Sequence, residues 1–487
     1  MPPGGPGPRP GGRNRLIAIV AAAVAACVIA GGTVWAISGD DGDGGDDKPQ
    51  AERSDAGGED RKSPTEEQPE DDAATPSEDD GNGREMDASA GELWKKVAKD
   101  APRRGQDTPG TWTVGDQLVK ASMDTVIGYD AATGDEKWTV KLKGDVCAAS
   151  RHTTSDDKVV VGYTGKSDDE CPNVTVIDLA KGKQGWKKAL PKSGGFAENY
   201  IGTGLTISGQ TIGATWGSGN TLLRVKDGKE IKQPETKAGC GVDGYGGGKS
   251  LLKADHCLNG DVATSTVKEL NPKTGKTRWT HKLPQGYQVN QVYSTSPIVL
   301  GIVDNDKKTG SIVALDGKGK KRSTLDPGKA KIQPKCGIGG ITSNSLELCS
   351  GYAVSQDRMY LPTKMERGGE PGEGLSNEIH AFDLDSGKST GKPITMKGRL
   401  VTPIGTRGSS LLMFGQPGYD SGGEVVSVSS GGKQKSLLKT PDSASSTQRV
   451  LTEGDLLYHQ KRLFMASTRV QGGNGAYDTL ILAFGPE

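Results

Sequence analysis

The stretch VIGYDAATGDEKW, residues 126–138, reads as a strand, a tight turn and a second strand. Alternating apolar residues lead into Asp130, and Trp138 follows Gly134 by four positions. An Asp side chain accepts hydrogen bonds from the backbone just ahead of it, and Gly supplies the positive φ that closes a hairpin. We therefore expect a β-hairpin whose Trp packs a large apolar surface between neighbouring units.

The same pattern recurs along the chain, which indicates a repeat protein. The copies carry Asp178, Gly182 and Trp186 (residues 176–186), Gly275 and Trp279 (residues 267–279) and, more weakly, Asp383 and Gly387 (residues 379–388). Turn glycines are expected at positions 134, 182, 228, 275, 317, 387, 431 and 485, and most of them are 42 to 54 residues apart. A spacing of about 45 residues is typical of β-propellers with one blade per repeat.

The Asp-x-x-Thr-Gly-x-x-x-Trp pattern resembles the pyrroloquinoline-quinone-like (PQQ-like) repeat of eight-bladed β-propellers. That family includes quinoprotein dehydrogenases and non-enzymatic propellers of the bacterial envelope. The resemblance spans most of residues 91–487 and is sharpest at 126–138, 176–186 and 267–279. It implies an all-β, eight-bladed PQQ-like propeller, with seven blades as the alternative.

The two ends of this region carry complementary halves of the motif. Residues 91–94, Gly-Glu-Leu-Trp, match its second half, whereas residues 480–485 match its first half. Together they would complete one blade, which removes an open seam from the ring.

Composition agrees with a chain of short strands. Hydrophobic residues make up 32% of the 487 residues and aromatic residues 5%, whereas Gly occurs 73 times and Pro 26 times. These values argue against a helical bundle and a Leu-rich α/β enzyme, and they suit tight turns, disorder or both. A single compact core does not usually reach this length unless it is repeated around a ring.

The zero net charge is the sum of three different regions. Residues 1–38 carry three arginines and no acid, which gives +3, and residues 39–90 carry 19 acidic against five basic residues, which gives −14. The rest of the chain therefore carries +11. That excess favours anionic partners, although Lys-rich turns also keep a propeller soluble.

The N-terminal region predicts a membrane anchor. Residues 16–37 carry no charge and, as a helix, would span about 33 Å, enough to cross a bilayer. Flanking charges place residues 1–15 in the cytoplasm and the propeller outside. The alternative is a lipoprotein lipidated at Cys27. Residues 38–90 are acidic and lack hydrophobic periodicity, which predicts a disordered linker.

Six cysteines outside the apolar run fall into three pairs, separated by 24, 17 and 13 residues. Each pair lies within one predicted blade, and an even number suits an oxidising compartment. Zinc binding is the alternative, although no Cys-x-x-Cys pair occurs. We predict the disulfides Cys147–Cys171, Cys240–Cys257 and Cys336–Cys349.

The sequence contains no recognisable catalytic or metal-binding set. Quinoprotein enzymes of the family use adjacent cysteines and a calcium site, and no adjacent Cys-Cys occurs here. We therefore expect no catalytic residues, no PQQ and no calcium. Residues 364–377 read as a loop inserted into one blade, which either binds a partner or is a tolerated surface insertion.

These observations favour a membrane-anchored, extracytoplasmic propeller that acts as a non-catalytic binding or scaffold module. The expected partner is an envelope protein or an anionic cell-envelope ligand, and not a nucleic acid. The alternative is a small-molecule sensor or a quinoprotein-like enzyme that uses the propeller channel.

Overall fold

This computed structural model describes residues 88–486, apart from 166–169, 192–201, 235–236, 261, 337–344, 368–373 and 474. No helix in that part of the chain is long and apolar enough to cross a membrane. The predicted tail at 1–15, the anchor at 16–37 with Cys27, and nearly all of the linker at 38–90 lie outside the described residues.

Eight antiparallel sheets follow one another, so the prediction of eight blades is confirmed. Blade 1 contains Thr111–Val114, Gln117–Ser122, Thr125–Asp130 and Glu136–Lys141. Blade 2 contains Val146–Ala149, Lys158–Tyr163, Asn173–Asp178 and Lys183–Ala189. Blade 3 has three strands, Gly204–Ser208, Thr211–Trp216 and Gly219–Arg224. Blade 4 contains Cys240–Gly246, Leu251–Asn259, Val262–Leu270 and Thr277–Lys282.

The remaining four blades have four strands each. Blade 5 contains Tyr287–Thr295, Ile298–Asp304, Thr309–Leu315 and Lys321–Thr324. Blade 6 contains Ala353–Val354, Arg358–Pro362, Ile379–Asp383 and Ser389–Ile394. Blade 7 contains Val401–Arg407, Ser410–Gly415, Glu424–Val428 and Gln434–Lys439. Blade 8 contains Asp455–His459, Arg462–Ala466 and Thr479–Gly485, and its fourth strand is Gly91–Val97.

Short elements connect or extend the blades. Two-residue strands pair Gln106–Asp107 with Arg469–Val470, Lys335–Cys336 with Cys349–Ser350, and Glu366–Arg367 with Leu375–Ser376. In the described residues, the α-helix Ser445–Leu451 and the 3₁₀ helices Asp442–Ala444 and Gly475–Asp478 all lie near blade 8. The last of the short hairpins belongs to the insertion predicted at 364–377.

The core consists of layers between neighbouring blades. Val119 and Val126 of blade 1 pack with Val159, Val161 and Ile177 of blade 2, and all five side chains are fully buried. Inner strands are covered by a blade on each side, so they are apolar on both faces. The outer strand Lys183–Ala189, by contrast, alternates exposed and half-buried residues.

Blade 8 closes the ring with strands from both ends of the propeller, as predicted. Gly91–Val97 pairs antiparallel with Thr479–Gly485, and Gly91 lies opposite Gly485. A second pairing joins Gln106–Asp107 to Arg469–Val470. Just before the strand, the backbone N–H of Ala90 donates to the carbonyl of Lys439 in blade 7.

The repeat-motif Trp side chains reach across to the turn glycine of the following blade. Trp138 lies over Gly182, where an added Cβ would come within 2.2 Å of the indole. In the same way Trp94 covers Gly134, Trp186 covers Gly228, and Trp279 covers Gly319. The indole N–H of Trp94, Trp186 and Trp279 donates to a carbonyl of the covered turn, at Ala131, Val225 and Gly317 respectively. Blade 3 lacks the Trp, and Gln233 and Ile231 approach Gly275 instead.

Two of the expected turn glycines are shifted, and one is not in a turn. Positive φ occurs at Gly319 and Gly432 rather than at positions 317 and 431, because each of these turns contains two glycines. Gly485 lies in the strand Thr479–Gly485. Gly387 has a positive φ of 72° and packs against the carbonyl of Thr324 in blade 5.

Aspartates hold these turns by accepting backbone N–H groups. The Oδ1 atom of Asp130 accepts hydrogen bonds from Ala132 and Thr133, and these bonds lower the pKa of Asp130. Asp178 accepts from Lys181. Asp383 accepts from both the backbone N–H and the hydroxyl of Ser386, which lowers its pKa.

Gly182→Ala tests the contact between blades. Gly182 and Gly432 both have positive φ, 62° and 83°, but a Cβ on Gly432 meets nothing within 4 Å. Ala at either position costs about 1–2 kcal/mol of backbone strain. Gly182→Ala should cost about 1–3 kcal/mol more because its methyl overlaps Trp138. Chemical denaturation measures both variants, and equal destabilisation would contradict the contact.

A buried lysine lies beside the ring closure. Lys120 is 1% exposed, and its Nζ donates to the carbonyl of Thr108 at 2.5 Å and to Thr111 Oγ1 at 3.0 Å. Thr108 is itself held by the backbone of blade 8, because its hydroxyl donates to Ser467 O. Burial lowers the pKa of Lys120 to about 8, against a smaller opposing effect of Asp455.

Lys120→Met tests this buried amine. Between pH 8 and 10.5 the unfolded chain binds more protons at this lysine than the folded chain does, so the free energy of unfolding rises with pH. Relative to the Met variant, the wild type should gain up to about 3 kcal/mol across that window. Buried tyrosines titrate in both proteins, so the difference isolates Lys120. Parallel stability curves would rule out the shifted pKa.

Candidate functional site

The two faces of the propeller are built from different parts of the blades. Strands alternate in direction, so the turns between first and second and between third and fourth strands lie on one face. We call it the turn face, and it carries the repeat motif with Asp130 and Gly134. The connections between second and third strands, and those leading into each new blade, lie on the opposite face.

All three predicted cysteine pairs form disulfides on that opposite face, which we call the disulfide face. Cys147 near the start of blade 2 joins Cys171 in the connection before the third strand. Cys240 at the start of blade 4 joins its cross-strand partner Cys257. Cys336 and Cys349 close the hairpin that precedes blade 6.

Residues 345–349, at the second strand of the hairpin before blade 6, contact the first strands of other blades. We call this segment the plug. The carbonyl of Leu346 accepts a hydrogen bond from Val292 in the first strand of blade 5. Glu347 accepts from Thr206 Oγ1 at 2.8 Å and from the N–H of Gly247 at 2.9 Å, which belong to blade 3 and the turn of blade 4. The plug therefore contacts the first strands of blades 3 and 5 and the turn that follows the first strand of blade 4.

Glu347 is the buried acid of the plug. Its side chain is 4% exposed, and its Oε1 lies 3.2 Å from His152 Nε2. Burial by itself raises the pKa of Glu347, but the hydrogen bonds from His152, Gly247 and Thr206 outweigh it and hold the pKa below the usual value. The carboxylate is therefore ionised at neutral pH.

Arg151 lies next to the plug. Its Nη1 donates to the carbonyl of Cys349 and to the hydroxyl of Tyr352, both at 2.8 Å. The guanidinium also lies over the Tyr352 ring, 5.2 Å from its centroid. Tyr352 in turn donates to the carbonyl of Tyr293, so the arginine is fixed through blades 5 and 6.

A cavity of about 160 Å³ lies between the plug and the starts of blades 1 to 3. Its polar groups come from Arg151, Thr203, Ser345 and Glu347. Its apolar wall is formed by Pro109, Ala148, Ala149, Leu205 and Leu348, together with Cys147.

These residues do not fit a quinone cofactor with calcium. The acid of the plug is not free to bind a metal ion, because Glu347 already accepts three hydrogen bonds. Within the described residues, no three His, Cys, Asp or Glu side chains are placed to hold a metal ion. The sequence also lacks adjacent cysteines.

The turn face carries a ring of exposed lysines at one position of six consecutive blades, 2 to 7. We call it the lysine ring. Each member directly follows a turn glycine of positive φ, and the members are Lys183, Lys229, Lys276, Lys320, Lys388 and Lys433. Ion pairs on this face use other lysines, such as Lys137 with Asp116 and Lys181 with Asp178.

The predicted repeat residues do not form the cavity. Asp130, Gly134 and Trp138 and their copies hold turns and contacts between blades on the turn face. The described parts of the 364–377 insertion lie in blade 6, where Met365 and Leu375 are 57% and 48% exposed.

Arg151, Glu347 and Lys120 were not predicted from the sequence. Arg151 and Glu347 lie almost 200 positions apart, in connections without a repeat pattern. The available signal was a single acid between two leucines, Leu346-Glu347-Leu348, next to a predicted disulfide. The lysine ring was visible as a Gly-Lys pair in six of the copies, whereas Gly134 is followed by Asp135.

The PQQ-like family model described as outer membrane protein assembly factor BamB matches residues 79–243. The predicted resemblance is confirmed. BamB from Moraxella catarrhalis is 14% identical to this chain, with 81% of this chain and 99% of that chain covered and a TM-score of 0.41. The Cps50 (Swd1) propeller domain of Myceliophteria thermophila is 11% identical, with coverages of 66% and 93% and a TM-score of 0.36. A search of curated proteins finds no match.

Proposed function

We propose that this propeller is a non-catalytic binding module that works outside the cytoplasm and engages an anionic partner through its lysine ring. The partner is an envelope protein or a cell-envelope ligand. Residues 16–37 would anchor the module in the membrane, and residues 38–90 would hold it away from the bilayer. Three disulfides support an oxidising compartment, since such bonds are rare in the cytosol.

The lysine ring carries this proposal. One exposed ion pair contributes little, about 0–1 kcal/mol, because water and salt screen it. Six ammonium groups at equivalent positions act together on a partner that presents many negative charges. Such an interaction would be broad, fast to form and strongly dependent on salt. The +11 charge of the propeller region acts in the same direction.

Changing the six lysines to Gln tests the lysine ring. The purified full chain is applied to immobilised polyphosphate, used as a polyanion probe, and eluted with a salt gradient. The variant should elute at a clearly lower salt concentration than the wild type, because the attraction between the ring and the polyanion is lost.

A matched control removes the same charge from the other face. Lys143, Lys237, Lys308, Lys329, Lys364 and Lys397 are exposed and lie in connections of the disulfide face. Their combined change to Gln should leave elution close to that of the wild type. Equal losses in both variants would show that net charge alone determines binding, and they would overturn the assignment to the turn face.

Photo-crosslinking in cells then identifies the partner. A photoreactive residue in place of Lys229 reports on the turn face, and one in place of Lys143 reports on the disulfide face. A partner captured from the first position should disappear when the other ring lysines are changed to Gln. Capture that is insensitive to those changes would contradict the proposal.

A further inference from the structure

We propose that the cavity beside the plug is a binding site for a small monocarboxylate, with Arg151 as its counter-ion. The site is lined by residues of the first strands and of the plug, and none of the lysine-ring residues lines it. It does not depend on the proposed function. It differs from a quinone site because the plug forms one of its walls.

The cavity has the size and lining of a ligand site. At about 160 Å³ it exceeds many times the roughly 10–15 Å³ that one water molecule needs. Ligand pockets are typically apolar with a few placed polar groups. Here Ala148, Leu205 and Leu348 supply apolar wall, and Arg151 supplies the cation.

Arg151 has donors available for an anion. Its Nη1 is engaged by the carbonyl of Cys349 and the hydroxyl of Tyr352. Its Nε and Nη2 have no acceptor among the residues that the structure describes, and the residue as a whole is exposed. Two parallel N–H groups of a guanidinium match the two oxygens of a carboxylate. The contacts with Cys349 and Tyr352 hold this fork in place before a ligand arrives.

Glu347 restricts the charge of the ligand. Its carboxylate lines the same cavity, but Thr206, Gly247 and His152 already donate to it, so it acts as a fixed negative wall. One negative charge on the ligand is offset by Arg151, whereas additional charge would be repelled. The site therefore favours a monocarboxylate with a short apolar body over phosphate.

Two of the three disulfides hold the walls of this site. Cys147 lines the cavity directly and is joined to Cys171. Cys349 orients Arg151 through its carbonyl and, with Cys336, closes the hairpin that carries the plug. The remaining bond, Cys240–Cys257, joins strands of blade 4, and neither of its cysteines lines the cavity.

Saturation-transfer NMR on the full chain tests the site with benzoate and butyrate, and with inorganic phosphate as the contrast. The wild type should bind the two carboxylates in preference to phosphate. Arg151→Met should weaken carboxylate binding at least tenfold, and Arg151→Lys should fall between the two because it keeps the charge without the fork. Glu347→Gln should admit phosphate.

Four further variants guard against misfolding as an explanation. Leu348 is 38% exposed at the cavity, so Leu348→Trp should fill the opening and reduce binding while the thermal unfolding temperature stays near that of the wild type. Cys147→Ser with Cys171→Ser should reduce binding, whereas the matched pair Cys240→Ser with Cys257→Ser should not. The six-lysine variant of the turn face should bind carboxylates normally.

The proposal is overturned by any of three results. The first is wild-type protein that binds neither carboxylate, and the second is equal binding by folded Arg151→Met. The third is phosphate binding as strong as that of benzoate, which would indicate non-specific attraction of anions. Because the six-lysine variant is tested in parallel, failure of this site and failure of the lysine ring give different patterns.

Discussion

The contact between a Trp of one blade and the turn glycine of the next determines how this ring is assembled. The indole of Trp138 leaves no space for a Cβ on Gly182. The positive φ of Gly182, 62°, independently favours glycine. Both the contact with Trp138 and the backbone conformation of the turn therefore require glycine at position 182. Where blade 3 lacks the Trp, Gln233 and Ile231 occupy the equivalent place against Gly275. Side chains of other types therefore fill the space between two blades where the repeat Trp is absent.

This contact lies in the outer part of the blades, near the turn face, and it leaves the opposite face free of the repeat. Connections on the disulfide face vary in length and carry three cross-links instead of a common turn. The repeated turns of the turn face place one lysine at an equivalent position in each of six blades, which forms the lysine ring. Segments without the repeat, by contrast, supply individual cavity residues, such as Arg151 after the first strand of blade 2 and Glu347 in the plug. The two proposed binding modes therefore follow from one topology.

The repeat made most of the fold predictable from sequence. Evenly spaced copies indicated eight blades, the half-motifs at residues 91–94 and 480–485 indicated the closure, and cysteine spacing gave the three pairs. The turn glycines in blades 5 and 7 were misplaced because two glycines compete within each turn. The cavity was not predictable, since its groups come from non-repeated connections brought together only by closure of the ring. No local pattern distinguishes Arg151 from other exposed arginines.

Blade 8 combines strands from the beginning and the end of the propeller, so its assembly depends on the order in which these strands are synthesised. Gly91 is synthesised almost four hundred residues before its partner Gly485, so the edge of the strand Gly91–Val97 has no neighbour in blade 8 until Thr479–Gly485 has been made. The entropic cost of closing a loop between such distant segments grows only slowly with loop length. The time for which the strand stays unpaired is therefore more important than the number of residues between the two partners. Until then the nascent chain exposes an unpaired strand and an apolar blade surface, a state that invites aggregation. The core between blades 8 and 1 is therefore fully covered only after the strand Thr479–Gly485 has been made, and folding factors that bind extended strands would act before then.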